Sequence, residues 1–217
     1  MNKWIEKQTF LDQLKDGLSI MVGGFMACGS PELLIDWIYE SHVKELTIIC
    51  NDAGYPDKGV GKLIANGQVR KLIASHIGLN PEAGRLMSEG KMEVTLVPQG
   101  TLAEQIRAYG AGLGGILTPT GIHTVVEEGK SVINVQGKDY LLEEALGADL
   151  ALVEANASDE LGNLIYDKTA RNFNPIIATA AKKVMVLVHH KVSHIDPEHI
   201  ITPHIFVDGL IEVDRYA

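Results

Sequence analysis

Cysteine is scarce in this chain of 217 residues: only Cys28 and Cys50 occur, and neither belongs to a Cys-x-x-Cys pair. Two cysteines are too few for a disulfide framework, and their separation excludes a zinc ribbon or a dithiol redox motif; a reducing cytosol fits. Clustered basic residues are also missing. A net charge of −9 with no dense Lys/Arg stripe excludes nucleic acid as a partner, because affinity for a phosphate backbone is built from such clusters. No segment approaches the roughly 20 consecutive apolar residues that span a bilayer, so no membrane partner is expected. The opening stretch from Met1 to Lys7 carries charge with no apolar h-region or small-residue cleavage site after it, unlike a secretory signal. A cytoplasmic protein is expected. Repeats, low-complexity tracts and Pro/Ser-rich linkers are absent as well, which leaves one continuous domain over residues 1–217.

What is present is an alternation of two periodicities. Residues 18–24, 45–50, 71–75 and 92–97 are short apolar, β-branched runs of the length expected for strands buried on both faces. Between them, residues 31–43 repeat apolar side chains at Leu33, Leu34, Trp37 and Ile38, with Ser30 as N-cap, Pro31 at the first helical position and Glu32 in the first turn. Residues 101–108 form a shorter helical pattern. Strands alternating with helices predict an α/β fold with a doubly wound, mainly parallel sheet. Residues 131–143 instead read as two strands around a turn at Gln136-Gly137-Lys138, an inserted β-hairpin. Residues 149–155, 174–182 and 184–188 then give a strand, a helix and a strand.

Three stretches bear on chemistry. In residues 16–31 a buried strand runs into Gly23-Gly24 and then into a helix. Backbone N–H groups and a helix N-terminus therefore gather at the strand's carboxyl end. Such a place holds a phosphate, an amide or an oxyanion, and glycines let a bulky ligand lie against the main chain. A tight strand-to-helix turn accounts for the same residues equally well. Gln99, in Val97-Pro98-Gln99-Gly100-Thr101-Leu102, follows another strand end and brings an amide donor and acceptor to the same sheet edge; a helix cap is its structural alternative. Residues 110–115 spell Gly-x-Gly-x-x-Gly, but they follow a helix, where a dinucleotide fingerprint must follow a strand; a mobile or close-packed loop is expected.

The stretch from Asp16 to Pro31 resembles the signature of family I coenzyme A transferases at their alpha-type subunit: Asp-Gly, two residues, three apolar residues, then Gly-Gly-Phe-x-x-x-Gly-x-Pro. The similarity continues through Asn51-Asp52-Ala53-Gly54, Ser75-His76-Ile77-Gly78, Pro98-Gln99-Gly100, Thr118-Pro119-Thr120-Gly121 and Ala170-Arg171-Asn172-Phe173-Asn174, nearly the whole chain. The resemblance implies a fold of the coenzyme A transferase and sugar-phosphate-isomerase-like class. It also implies transfer of CoA between short-chain acyl groups and carboxylates such as acetate, butyrate or acetoacetate. By residue, it implies CoA contacts from Gly23, Gly24, Phe25, Met26, Ala27, Cys28, Gly29 and Ser30, an acyl or oxyanion contact from Gln99, and a substrate contact from Asn51. The family's nucleophile is a glutamate in a Ser-Glu-Asn-Gly motif of the beta subunit, and that tetrapeptide is absent here. The implied partner is therefore a beta subunit, as α2β2, with a glutamyl-CoA intermediate and no cofactor beyond CoA as substrate. Two other readings are an isomerase or ring-opening deaminase of sugar phosphates, and a non-catalytic CoA- or anion-binding module.

The remaining candidates take structural readings. Glu89 is expected as a solvated acid, Glu104 as the partner of Arg107 in an exposed i,i+3 pair, and Cys28 as a small buried thiol. Gly59-Val60-Gly61-Lys62-Leu63 lacks the Ser or Thr of a phosphate loop. His189, His190, His194, His199 and His204 have no common ligand register, with Pro197 and Pro203 among them, so they are expected at the surface and no metal is expected. Tyr109 and His123 depart from small residues of the family's wording near the implied site and bear on acyl-chain specificity.

Overall fold

The computed structural model describes residues 2–213; Met1 and the last four residues, which the single-domain expectation over 1–217 includes, lie outside the described residues. The first half of the chain is a run of strands and helices: α1 (Lys7–Leu11), β1 (Ser19–Val22), α2 (Glu32–Ser41), β2 (Leu46–Cys50), α3 (Gly61–Ala65), β3 (Val69–Ala74), α4 (Pro81–Ser88), β4 (Glu93–Leu96) and α5 (Gln99–Gly110). Three antiparallel strands follow, β5 (Gly115–Thr118), β6 (Val132–Val135) and β7 (Lys138–Glu144). The chain then returns through β8 (Ala148–Ser158), β9 (Leu164–Ile165), α6 (Asn174–Ile177), β10 (Ala181–Lys191) and β11 (Gly209–Glu212).

The large sheet has the order β11-β10-β8-β1-β2-β3-β4, parallel throughout, with the short β9 antiparallel on β8. Its strands carry side chains to two packed faces. Ile20, Val22, Ile48 and Cys50 point to a core closed by Phe10 of α1, Leu34 and Ile38 of α2, Leu63 of α3 and Ala83 of α4. Met21, Ile49, Ala151 and Val153 point to the opposite core, closed by Leu102 and Ile106 of α5 and Ile177 of α6. That is a doubly wound α/β fold, and it explains why the strands read as unbroken apolar runs. The smaller sheet, β5-β7-β6, contains the expected hairpin; Gln136 (φ 52°) and Gly137 (φ 81°) form its turn, as the twist of a two-residue hairpin requires. No helix among the described residues is long and apolar enough to cross a membrane.

Two local expectations are corrected. The helix expected over residues 174–182 ends at Ile177, because Ala181 onward extends β10, which pairs with β8 from Ala148 to Ser158. The sheet's ladder overrides the helix propensity of the alanines. Ser30 does not cap α2 either: the N-cap is Pro31, and the Ser30 hydroxyl turns back to the Gly23 carbonyl at 3.5 Å.

The N-terminal segment runs beside β11. Ile5 donates its amide to the Leu210 carbonyl at 2.9 Å, and the Leu210 amide donates to the Lys3 carbonyl at 2.8 Å.

Candidate functional site

In a parallel sheet the loops that leave the carboxyl ends of neighbouring strands share one edge, and ligands collect there. Here β1 leads into Gly23-Gly24, β2 into Asn51-Asp52, β3 into Ser75-His76, and β4 through Val97-Pro98 into Gln99. Four of these residues are joined by hydrogen bonds. Gln99 Nε2 donates to Asn51 Oδ1 at 2.7 Å, and Asn51 Nδ2 donates to Asp52 Oδ2 at 2.8 Å. The Met26 amide donates to the same Asp52 Oδ2 at 2.9 Å, and the Gly54 amide to Asp52 Oδ1 at 3.0 Å. Ser75 Oγ fixes the Asn51 carbonyl from β3 at 2.7 Å. Gln99 and Asn51, both expected at this edge, are therefore in contact. Gln99 is exposed, and the second N–H of its Nε2 and its Oε1 remain for a ligand. Its cap alternative is not seen: Pro98 is the N-cap of α5 and no side chain caps the helix.

The glycine motif folds back on itself. Phe25 and Cys28 exchange amide-to-carbonyl bonds at 3.0 and 2.9 Å around Met26 (φ 47°) and Ala27 (φ 65°), the backbone signs of a type I′ turn built without glycine. Two non-glycine residues in the left-handed region cost about 1–2 kcal/mol each, so the turn must be held. Asp52 holds one side. On the other, Asn172 Nδ2 donates to the Cys28 carbonyl at 2.9 Å, and Asn174 Nδ2 donates to the carbonyls of Gly29 at 2.9 Å and Ala170 at 2.8 Å. Asn174 Oδ1 accepts the Glu154 amide of β8 at 3.0 Å, which ties the loop to the sheet. Asn174 is fully buried, and a Cβ on Gly23 would stand 1.8 Å from its Oδ1; a Cβ on Gly24 would stand 2.5 Å from Ser30 Oγ. The glycine pair thus admits protein atoms, which fits the tight strand-to-helix turn that the sequence offered beside a ligand contact. The space enclosed beneath the loop is about 10 Å³, room for one water at most. Its outer side presents Phe25 and Met26, 40% and 43% exposed, and the amides of Gly24, Ala27, Gly29 and Ser30 donate to no group among the described residues.

Several side chains fall elsewhere than expected. Cys28 is exposed rather than buried, with Sγ 3.2 Å from Thr169 Oγ1, because the turn carries it out over a cleft of about 400 Å³. His189 is not a free surface histidine. It lines that cleft and meets Glu154 across neighbouring strands at 3.2 Å, Nε2 to Oε1. Burial raises the Glu154 carboxyl above its ordinary range, and the His189 bond draws it partly back. His204 is likewise half-buried, with its amide on Asn163 Oδ1 at 2.9 Å. His190, His194 and His199 are exposed. Tyr109 lies away from the strand ends: α5 runs back along the sheet, and the ring packs on Gly147 just before β8 begins. His123 (φ 62°) is exposed, its amide on Glu127. Glu89 is an exposed partner of Arg85 and Lys91, and Glu104 pairs with Arg107 at 3.1 Å, both as expected; of the stretch expected as a loop, Gly110 instead ends α5 and packs on Thr179 of the turn after α6, and Gly115 begins β5. In the failed phosphate loop, Lys62 is held by Glu32 at 2.8 Å and by Asp36.

Asp52, Asn172, Asn174 and Glu154 were not singled out from the sequence. The first three stand inside quoted motifs, and that was their signal; Glu154 had none, since its cleft is made by residues from four distant segments.

Comparison with known proteins adds to this geometry. Residues 7–213 match the family model described as Coenzyme A transferase. The chain is 56% identical over 199 residues to the acetate CoA-transferase subunit alpha of Escherichia coli K12, covering 91% of this chain and 90% of that one. It is 47% identical to the acetoacetyl-CoA:acetate/butyrate CoA transferase alpha subunit of Clostridium acetobutylicum, covering 97% and 98%. Among solved structures, an acyl-CoA transferase of Escherichia coli O157:H7 in a thioester complex with CoA superposes with a TM-score of 0.89 at 22% identity, covering all of this chain and 48% of that one. The chain thus spans about half the length of that enzyme.

Proposed function

Because this chain belongs to the coenzyme A transferase family, we propose that it is the alpha subunit of a short-chain acyl-CoA:carboxylate CoA-transferase. The reading includes a beta subunit that supplies the catalytic glutamate, an α2β2 assembly in the cytoplasm, and acetate, butyrate or acetoacetate as exchanging acids. The partner glutamate attacks the thioester carbonyl to give an acyl-glutamyl anhydride; CoA thiolate then attacks the glutamyl carbonyl, releasing the first acid and leaving a glutamyl-CoA thioester for the acceptor. Such a sequence asks this chain for donors to a developing oxyanion and for a CoA cradle, with no cofactor besides CoA as substrate. The observation that carries the reading is the bonded row Gln99–Asn51–Asp52–Met26. It links the exposed amide of Gln99 to the glycine turn at the edge where several strands end.

The sugar-phosphate and binding-module alternatives need no second subunit. Exchange of label from acetyl-CoA to butyrate by the chain with and without its beta subunit separates the transferase reading from both. Ping-pong exchange by the pair and none by this chain alone is expected. No exchange by the pair with any short-chain acid overturns the transferase reading, and exchange by the chain alone overturns the division of labour.

A further inference from the structure

The small sheet β5-β7-β6 has one face on the body of the molecule and one face free. Along β7, Leu141 and Glu143 are buried while Leu142 and Glu144 are exposed, so alternate residues point in and out. Residues directly opposite in an antiparallel ladder share a face. Leu117 therefore stands beside Leu142, Ile133 beside Tyr140 and Val135 beside Lys138, all on the outer side. A sheet covered on one side ordinarily turns its polar residues outward. Here much of the pattern is inverted. The inward Glu143 accepts hydrogen bonds from Gln105 Nε2 at 3.1 Å and Lys130 Nζ at 2.6 Å, while Leu117, Ile133, Val135 and Leu142 face outward at 39–43% exposure. These four lie together across three strands, and a contiguous apolar face marks a contact surface where scattered apolar residues do not.

Charge selects the occupant. The outward row of β7 reads Lys138, Tyr140, Leu142, Glu144, a cation at one end, an acid at the other and apolar surface between. Neither end makes a salt bridge among the described residues; Lys138 Nζ lies over the Tyr140 ring, 5.2 Å from its centroid. Such a row is its own complement. A two-fold axis crossing the strands at the level of Leu141 lays two copies of β7 antiparallel, with Lys138 of each over Glu144 of the other and Tyr140 over Leu142. An axis along the strands would instead set Lys138 on Lys138 and Glu144 on Glu144. We propose that this outer face packs on the same face of a second copy of the chain, sheet on sheet, about the axis that crosses the strands. Three strands and seven residues give a face of about 14 by 24 Å, small against a standard interface, so the dimer is reversible rather than obligate. The pairing does not depend on the transferase reading.

Sedimentation velocity of the full chain over a range of concentrations, without and with its beta subunit, tests the pairing. Wild type alone should pass from monomer to dimer as concentration rises. Lys138→Glu and Glu144→Lys should each raise the dimer Kd at least about 10-fold, because each sets two like-charge contacts across the axis, and the double variant should return it to within about 3-fold of wild type. Leu142→Lys, in the middle of the face, should abolish the dimer. All four variants should keep the wild-type thermal midpoint, since every side chain changed is exposed. Should Leu142→Lys fail to fold, the charge reversals decide by themselves. A chain that is monomeric at every concentration, a dimer indifferent to the single reversals, or a double variant as weak as the singles overturns the pairing. Loss of beta-subunit binding in Leu142→Lys, with the wild-type chain alone monomeric, would give this face to the beta subunit and overturn it as well.

Discussion

At the scale of single residues, Gln99 is the sharpest point of the site. Its Nε2 holds Asn51, a residue only 2% exposed, and its remaining N–H lies at the exposed edge. If that N–H meets the oxygen of the attacked thioester, Gln99→Ala lowers kcat about 10²-fold, the lower end for an oxyanion donor, with a smaller change in KM for CoA esters. Stability should fall by no more than about 1 kcal/mol, since Gln99 caps nothing and Asn51 Oδ1 keeps Ser75 Oγ at 3.3 Å. Measuring kcat and thermal midpoint on the assembled enzyme checks both, and a fully active variant would take Gln99 out of the active site. Gln99, Asn51 and the glycine turn were legible because each follows an apolar run that could only be a strand. Asp52 and Asn174 were not, because their importance lies in what they touch: a buried amide bonded to the Gly29 and Ala170 carbonyls and to the Glu154 amide shows nothing of this in its neighbours along the chain.

At the scale of elements, the strands that were easiest to foresee are those buried on both faces. The missed ones have a reason in length or company. α3 has five residues and β11 four, too few to show a period, and β5 lies in a glycine-rich stretch that reads as loop. α6 was foreseen as too long because alanine favours helix wherever no ladder competes. The ladder that competes is pinned at its start by Asp149. Its Oδ2 accepts the Ser19 hydroxyl of β1 at 2.7 Å and the Ser19 amide at 3.1 Å, and its Oδ1 accepts Lys182 of β10 at 2.8 Å, so three adjacent strands meet on one carboxylate. The Lys182 bond first, then those from Ser19, holds the Asp149 carboxyl down at about 2, against an ordinary value of 3.8. An acid whose folded value is depressed contributes stability above its unfolded value, and loses it as pH falls through the folded one. Asp149→Asn should therefore be less stable than wild type at neutral pH, with the gap closing between about pH 4 and pH 2. Denaturant midpoints across that range check it; a gap independent of pH would mean that the carboxylate's charge plays no part.

At the scale of the whole molecule, the seven parallel strands of the large sheet have two outer members, and the chain treats them differently. β4 pairs only with β3 among the described residues; it is four residues long and carries Glu93, bonded to Lys71 at 2.6 Å. Shortness and charge discourage a foreign strand from docking there. β11 is as short and also carries an acid, Glu212, but it is more apolar, with Leu210 and Ile211 fully buried. The segment through Lys3, Trp4 and Ile5 occupies its free side, so what reads as an unremarkable N-terminal tail is a guard against self-templating. Ile5→Pro deletes the amide that bonds Leu210. The variant should remain folded in the large sheet yet form sheet-rich aggregates at concentrations where wild type stays clear, as light scattering and thioflavin fluorescence would report. Unchanged scattering would mean that β11 is guarded in some other way; with the guard lifted, the hazard is the same ladder of amides and carbonyls that builds the native fold, offered to another copy of the chain.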